Sequence, residues 1–170
     1  IEDTDQERLV EGAVDIIYDT MKAVGLHHDE GPDIGGDFGP YVQSERLSMY
    51  KGYADQLVEL GGAHYCFCSE EEIEAQRKEA ESLGISFKYD DPCKHISIEE
   101  ARKRIADGEK YVVRQTIKAN GETYFDDEVY GRIEVDNSTL DESVLLKSDG
   151  FPTYNFANII DDHQMQISHV

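Results

Sequence analysis

Three cysteines and one histidine raise the first chemical question. Cys66-Phe67-Cys68 is followed by 24 residues and then by Cys93-Lys94-His95, and the 170-residue sequence holds no other cysteine. Thiolate sulfur and imidazole nitrogen are the donors Zn²⁺ takes in tetrahedral structural sites, with Zn–S about 2.3 Å and Zn–N about 2.0 Å. Each short hook offers two donors from one turn of backbone, and a helix-sized insert can fold back to join the hooks. The spacing predicts a structural zinc site with Cys66, Cys68, Cys93 and His95 as ligands. Tyr89, four residues before Cys93, offers a phenolate as a substitute for the histidine. Buried free thiols are the alternative reading, because cysteine often packs as a small hydrophobe. Disulfides fit poorly, given an odd count in a long chain and the strained geometry of a bridge within Cys-x-Cys.

The elements around these hooks follow from local signals. Ser69 with Glu72, and Ser97 with Glu100, read as capping boxes that start helices over 70–83 and 98–106, the first closed by Gly84. His64 to Phe67 reads as a strand running into the first hook. Upstream, Ile1 reads as a strand end. Thr4 with Glu7 reads as a capping box for a helix carrying Leu9, Ala13 and Ile16 or Ile17 on one face and ending at Gly25. Residues 27–43, rich in glycine and proline, form a loop in which His27 and His28 read as surface residues. A second amphipathic helix spans Ser44 to Leu60, with Leu47, Tyr50, Ala54, Leu57 and Leu60 on one face.

From Tyr111 the period changes to two. Tyr111–Ile117 and Thr123–Phe125 flank Asn120-Gly121 as a hairpin. Further strands are expected at 131–135 and 144–147, a turn at Asp149-Gly150, a short helix over 152–162 and a closing strand over 166–170. The fold class is therefore α/β: βα units, an insert with antiparallel strands, and a return. Glu2 stands at the C-terminal end of a strand, where ligands bind in open α/β sheets.

The formal net charge of −21 argues against a uniform nucleic-acid surface. Its distribution is uneven. Residues 77–118 carry 10 of the 16 Lys and Arg against 8 acidic residues, whereas the remainder has 6 against 29. Any polyanion contact is expected on the segment holding the hooks, although solvated helix faces would give the same bias. No stretch of 18 apolar residues occurs, so no membrane span is expected. The opening Ile1-Glu2-Asp3-Thr4-Asp5 is the reverse of a basic, apolar leader. The chain reads as an internal piece of a longer, cytoplasmic protein.

Several stretches resemble the bacterial glutamyl-tRNA synthetases. Ile1-Glu2-Asp3-Thr4-Asp5 is similar to a strand end of that family, and its Thr separates it from the glutaminyl relatives. Asp29-Glu30-Gly31-Pro32-Asp33 and Gly39-Pro40-Tyr41-Val42-Gln43-Ser44-Glu45-Arg46-Leu47 are similar to the next loop and helix. Leu145 to Tyr154 and Ala157 to His163 are similar to the family's re-entry into its catalytic fold. The two hooks match its zinc-bearing members.

The resemblance implies a class I Rossmann-type catalytic domain interrupted by a mixed α/β zinc-containing insert. Residues 1–63 would be its first part, 64–146 the connective insert that grips the tRNA acceptor end, and 147–170 the return. It implies ATP-dependent activation of L-glutamate, with Mg²⁺, and transfer to the 3′ end of tRNA(Glu). By position, Glu2 would hold the α-ammonium of glutamate, and Tyr154 and Asn158 would line the same pocket. A monomer is expected. The His-Ile-Gly-His-type and Lys-Met-Ser-Lys-Ser-type ATP signatures and a pairing arginine of the family do not occur in these residues, so this stretch by itself is expected not to activate glutamate. Asp37 and Ser48 replace prolines, and Gln164 and Gln166 stand where the family has Leu and Gly. The two other readings are a paralogue that glutamylates queuosine in a tRNA anticodon, with a tyrosine zinc ligand, and a non-catalytic zinc module that binds RNA or protein.

Overall fold

The computed structural model describes residues 1–4, 10–85, 87–89 and 91–169. The chain divides into two compact units, Ile1–Tyr53 with Asp149–Val170, and Ala54–Ser148. Among the described residues, no helix is long and apolar enough to cross a membrane.

In the first unit, helix α1 spans Ala13–Ala23 and helix α2 starts at Leu47, running to Glu59 after a 3₁₀ turn over Gln43–Arg46. Of the expected cap at Thr4 and Glu7, Glu7 falls among residues 5–9, outside the described residues, as does the core position Leu9. The described helix begins at Ala13, about two turns past Thr4, behind Gly12 at φ +80°. Ile1 is not in an assigned strand, yet its amine donates to the Tyr41 carbonyl at 2.7 Å and its carbonyl accepts from Gln43 N–H at 3.0 Å. Bonding to the two neighbours of one residue, Val42, is the pattern of a parallel rung.

The loop before α2 is folded tightly on itself. A Cβ added at Gly36 would meet the Tyr41 hydroxyl at 2.3 Å and the Glu30 carboxylate at 2.5 Å, so only glycine fits there. The first unit closes with helix α5, Tyr154–Gln164, close to the predicted 152–162. The closing strand expected over 166–170 does not form at residues 166–169, and Val170 lies outside the described residues. Gln166 instead adopts φ +55°, the left-handed region that a glycine occupies without strain.

The second unit holds all the assigned strands. Strand β1 (Ala63–Cys66), helix α3 (Glu70–Ser82), helix α4 (Ile98–Ala106), β2 (Val112–Gln115), β3 (Glu122–Asp127), β4 (Gly131–Asp136) and β5 (Val144–Leu146) follow in order. The capping box at Ser69 is complete: Glu72 N–H donates to Ser69 Oγ, and the Glu72 carboxylate accepts from Ser69 N–H. Ser97 Oγ likewise accepts from Glu100 N–H.

The predicted Asn120-Gly121 hairpin does not pair the strands expected. β2 lies between β1 and β5 in a three-stranded antiparallel sheet, while β3 pairs with β4 in a separate two-stranded one. The hairpin turn is at Asp127, whose carboxylate accepts from Val129 and Tyr130 N–H at 2.7 Å each. Tertiary burial decides this: Val113 on β2 is fully buried, whereas every residue of β3 except Asp127 is exposed. Leu60, placed by its spacing on the apolar face of α2, is 75% exposed, and Val58 is buried instead.

Candidate metal centre and substrate pocket

β1 delivers Cys66 from its buried end, the chain leaving it carries Cys68, and a 3₁₀ turn over Pro92–His95 carries Cys93. The three sulfurs lie within 4.8 Å of one another. Cys68 Sγ and Cys93 Sγ are 3.7 Å apart, far beyond the ~2.05 Å of a disulfide. It is the separation expected of two thiolates on one tetrahedral ion, since Zn–S of about 2.3 Å gives an edge of about 3.8 Å. Phe67 N–H donates to Cys93 Sγ at 3.3 Å, an outer bond of the kind that orients a metal-binding thiolate.

A fourth donor atom at this cluster, an oxygen, belongs to Tyr89. Its hydroxyl is 3.1 Å from Cys66 Sγ and donates to Cys68 Sγ at 2.9 Å. His95, the first-choice ligand by spacing, is exposed and is not among the clustered groups. The 3₁₀ turn explains this: it buries Cys93 and leaves His95, two residues on, facing outward. Burial, with the neighbouring thiols adding, pushes the Cys68 thiol up to about 12 despite the Tyr89 hydrogen bond, and burial raises the Tyr89 phenol as well. A divalent cation beside the half-buried Cys68 thiol and Tyr89 phenol would favour their ionised forms.

The wall around the cluster is charged. The Arg114 guanidinium, on β2, lies 4.3 Å from the Tyr89 ring centroid and donates to the Glu142 carbonyl at 2.9 Å. His64 Nδ1 is 2.8 Å from Thr116 Oγ1, and His64 Nε2 is 2.6 Å from the Asp91 carboxylate without the alignment of a hydrogen bond. Burial holds His64 down at about 4, and burial with Glu142 nearby raises Asp91. Both are therefore driven toward their neutral forms. Lys94 pairs with Glu142, whose carboxylate also accepts from Ile117 N–H at 3.0 Å.

In the first unit a cavity of about 370 Å³ is lined by Glu2 and Asn158 together with Tyr18, His28, Arg46 and Asp161. Glu2 is exposed at its edge. The Asn158 side-chain oxygen is buried with no hydrogen-bond partner among the described residues. Tyr154 precedes Asn158 by four residues on α5, which puts the two on one helix face, but Tyr154 is 56% exposed and is not part of the cavity wall.

Part of this wall is a network that local patterning does not reveal. Asp161, buried on α5, accepts from Gln43 Nε2 and Arg46 Nε at 2.9 Å each and from the Tyr50 hydroxyl at 2.8 and 2.9 Å. His28, expected at the surface, is half-buried: Tyr18 stacks on it at 5.2 Å and the Asp33 carboxylate lies 2.8 Å from its Nε2. The signal that could have found Asp161 is its place three residues after Asn158, one turn along the same helix.

The family of class I tRNA synthetases (E and Q), catalytic domain, matches residues 1–170. The chain belongs to this synthetase family. Among the synthetases it matches, "Glutamate--tRNA ligase" of Clostridium tetani (strain Massachusetts / E88) is 59% identical over the whole chain, and that of Clostridium acetobutylicum is 56% identical. The chain spans 35% of the length of each of these relatives. Two solved synthetase structures share the fold. A glutamate tRNA ligase of Elizabethkingia meningosepticum in complex with its amino acid superposes with a TM-score of 0.92 at 37% identity, covering all of this chain and 35% of that one. The glutamate-tRNA synthetase of Elizabethkingia anophelis gives 0.91 at 37%, covering 36% of its chain. The fold of this synthetase chain is accordingly that of the class I catalytic domain, and its matches favour neither the queuosine-modifying nor the non-catalytic alternative.

Proposed function

We propose that the chain is the part of a glutamate–tRNA ligase that holds L-glutamate and carries a structural zinc ion. The observation that carries this reading is identity of 59% to glutamate–tRNA ligases over every residue of the chain, with Glu2 and Asn158 lining one cavity. In the proposed reaction the glutamate α-carboxylate attacks the α-phosphorus of Mg²⁺-bound ATP and pyrophosphate leaves. A ribose hydroxyl at the 3′ end of tRNA(Glu) then takes the glutamyl group and AMP leaves.

The chain's own residues serve binding and orientation, which is where catalysis of such transfers resides. Glu2 supplies the negative charge for the α-ammonium. The unpartnered Asn158 oxygen is a further acceptor for it, since a buried acceptor left unpaired costs about 1–3 kcal/mol. Tyr154 borders the same ligand from the exposed end of the helix face. Residues 64–146 act as the connective insert for the tRNA acceptor end, with 1–63 and 147–170 as the flanking parts of the catalytic domain. The more basic stretch 77–118 supports that placement. A monomer in the cytoplasm is the proposed working state.

Cys66, Cys68 and Cys93 would hold the zinc ion, with Tyr89 as the fourth ligand in place of His95. Bound there, the ion supplies a covalent-strength cross-link between the two hooks, not chemistry on the substrate. ATP–pyrophosphate exchange by the full-length protein tests the reading. Glutamate-dependent exchange is expected, with KM for glutamate raised about tenfold or more in Glu2→Gln. Exchange that ignores glutamate would overturn it.

A further inference from the structure

A metal held by three thiolates and a phenolate leaves charge unbalanced, because a divalent cation neutralises only half of four anionic ligands. Something nearby must compensate, or the burial of that excess charge is costly. Lys94 is engaged with the Glu142 carboxylate. His64 is engaged with the Thr116 hydroxyl and the Asp91 carboxylate. Arg102 and Arg104 pair with Glu59 and Glu109.

Arg114 differs from these. It is only 9% exposed, and its guanidinium stacks on the Tyr89 ring, whose hydroxyl meets Cys66 and Cys68. It donates to a neutral acceptor, the backbone carbonyl of Glu142, and its buried Nε has no partner among the described residues. The backbone fixes this placement. Arg114 faces His64 across the β1–β2 ladder, and the strand it faces ends at Cys66. A guanidinium over an aromatic face is attracted to it, and more strongly once the ring carries the ligand's negative charge.

We infer that Arg114 is the positioning residue and counter-cation of the Tyr89–thiolate metal site, orienting the phenol ring and balancing the charge of the bound ion. The inference rests on the zinc reading above. Outer groups that orient metal ligands typically contribute about 10- to 100-fold to metal affinity.

The test measures zinc affinity of the full-length protein by competition with a chromophoric chelator. Arg114→Met, which keeps an apolar stem of similar reach, is expected to bind zinc about 10- to 100-fold more weakly. Arg114→Lys, which keeps the charge, is expected to recover most of that loss. The loss is expected to shrink below about threefold when Arg114→Met is made in a Tyr89→Phe background, because the partner is already gone. Cobalt substitution adds a second readout, a phenolate-dependent absorption that weakens in Arg114→Met. Equal losses in the wild-type and Tyr89→Phe backgrounds would mean a merely structural role and overturn the inference, as would unchanged affinity in Arg114→Met. A wild-type protein that binds no zinc, or whose affinity ignores Tyr89→Phe, would instead overturn the zinc reading on which it stands.

Discussion

The phenolic oxygen of Tyr89 stands 2.9 Å from the sulfur of Cys68, inside a cluster that His95 does not join. Spacing alone favours the histidine, because Cys-x-His is a compact hook. The backbone between the hooks overrides that preference by turning His95 outward and folding Tyr89 inward. Zinc affinity should therefore fall about 10- to 100-fold in Tyr89→Phe and stay within about twofold in His95→Ala, as read by chelator competition. The reverse ranking would restore the histidine.

Metal removal should cost stability, since an ion that binds only the folded state stabilises it by mass action, by about 2.7 kcal/mol at a hundred times Kd. Thermal melting with and without chelator checks this. In Cys93→Ser the two melting curves should coincide.

Asp161 joins Arg46, Gln43 and Tyr50 in a buried network. Removing one partner leaves the other charge buried and unpaired, a loss of about 3–5 kcal/mol in comparable sites. Asp161→Asn should show that loss in urea denaturation. Its half-buried neighbour Asp162 should tolerate the same change within about 0.5 kcal/mol.

His64 is held down at about 4 from an ordinary value near 6.5 by its burial. Between those values the unfolded chain binds more protons than the folded one, so stability rises with pH across this window and is lost on acidification through it. In chelator-treated protein, His64→Asn should flatten the stability profile between about pH 4 and 6.5. An unchanged slope would show that another group titrates there.

Gln166 occupies the left-handed region at φ +55°. A residue with a Cβ is strained there by about 1–2 kcal/mol, partly offset by the ~0.4–1 kcal/mol that a glycine loses through a freer unfolded chain. Gln166→Gly should therefore stabilise the protein slightly, by about 0.5–1 kcal/mol in urea titration.

This last position also shows how far sequence reasoning reached. The departure of Gln166 from a family glycine was visible in the sequence, but only coordinates supply the torsion angle behind it. Capping boxes at Ser69 and Ser97 were legible because each is a bond between residues three apart. The Asn120-Gly121 signal misled because it says how two strands could turn, not which strands gain burial by pairing. Three cysteines could be grouped from spacing. The choice between Tyr89 and His95 depended on the path of a 24-residue insert, and Arg114 and Asp161 owe their roles to partners far along the chain. For Asp161 those partners are 111 to 118 positions away.

That separation governs when the molecule can be finished. Gln43, Arg46 and Tyr50 leave the ribosome early, yet the carboxylate that satisfies them arrives only after all of Ala54–Ser148 has been made. Until then a guanidinium, an amide and a phenol wait in water, and the first unit has no reason to close. The intervening unit, with its local caps and adjacent strands, can settle first. Synthesis order thus lets the cysteine-bearing unit Ala54–Ser148 fold early and leaves the cavity lined by Glu2 and Asn158 to be assembled after it.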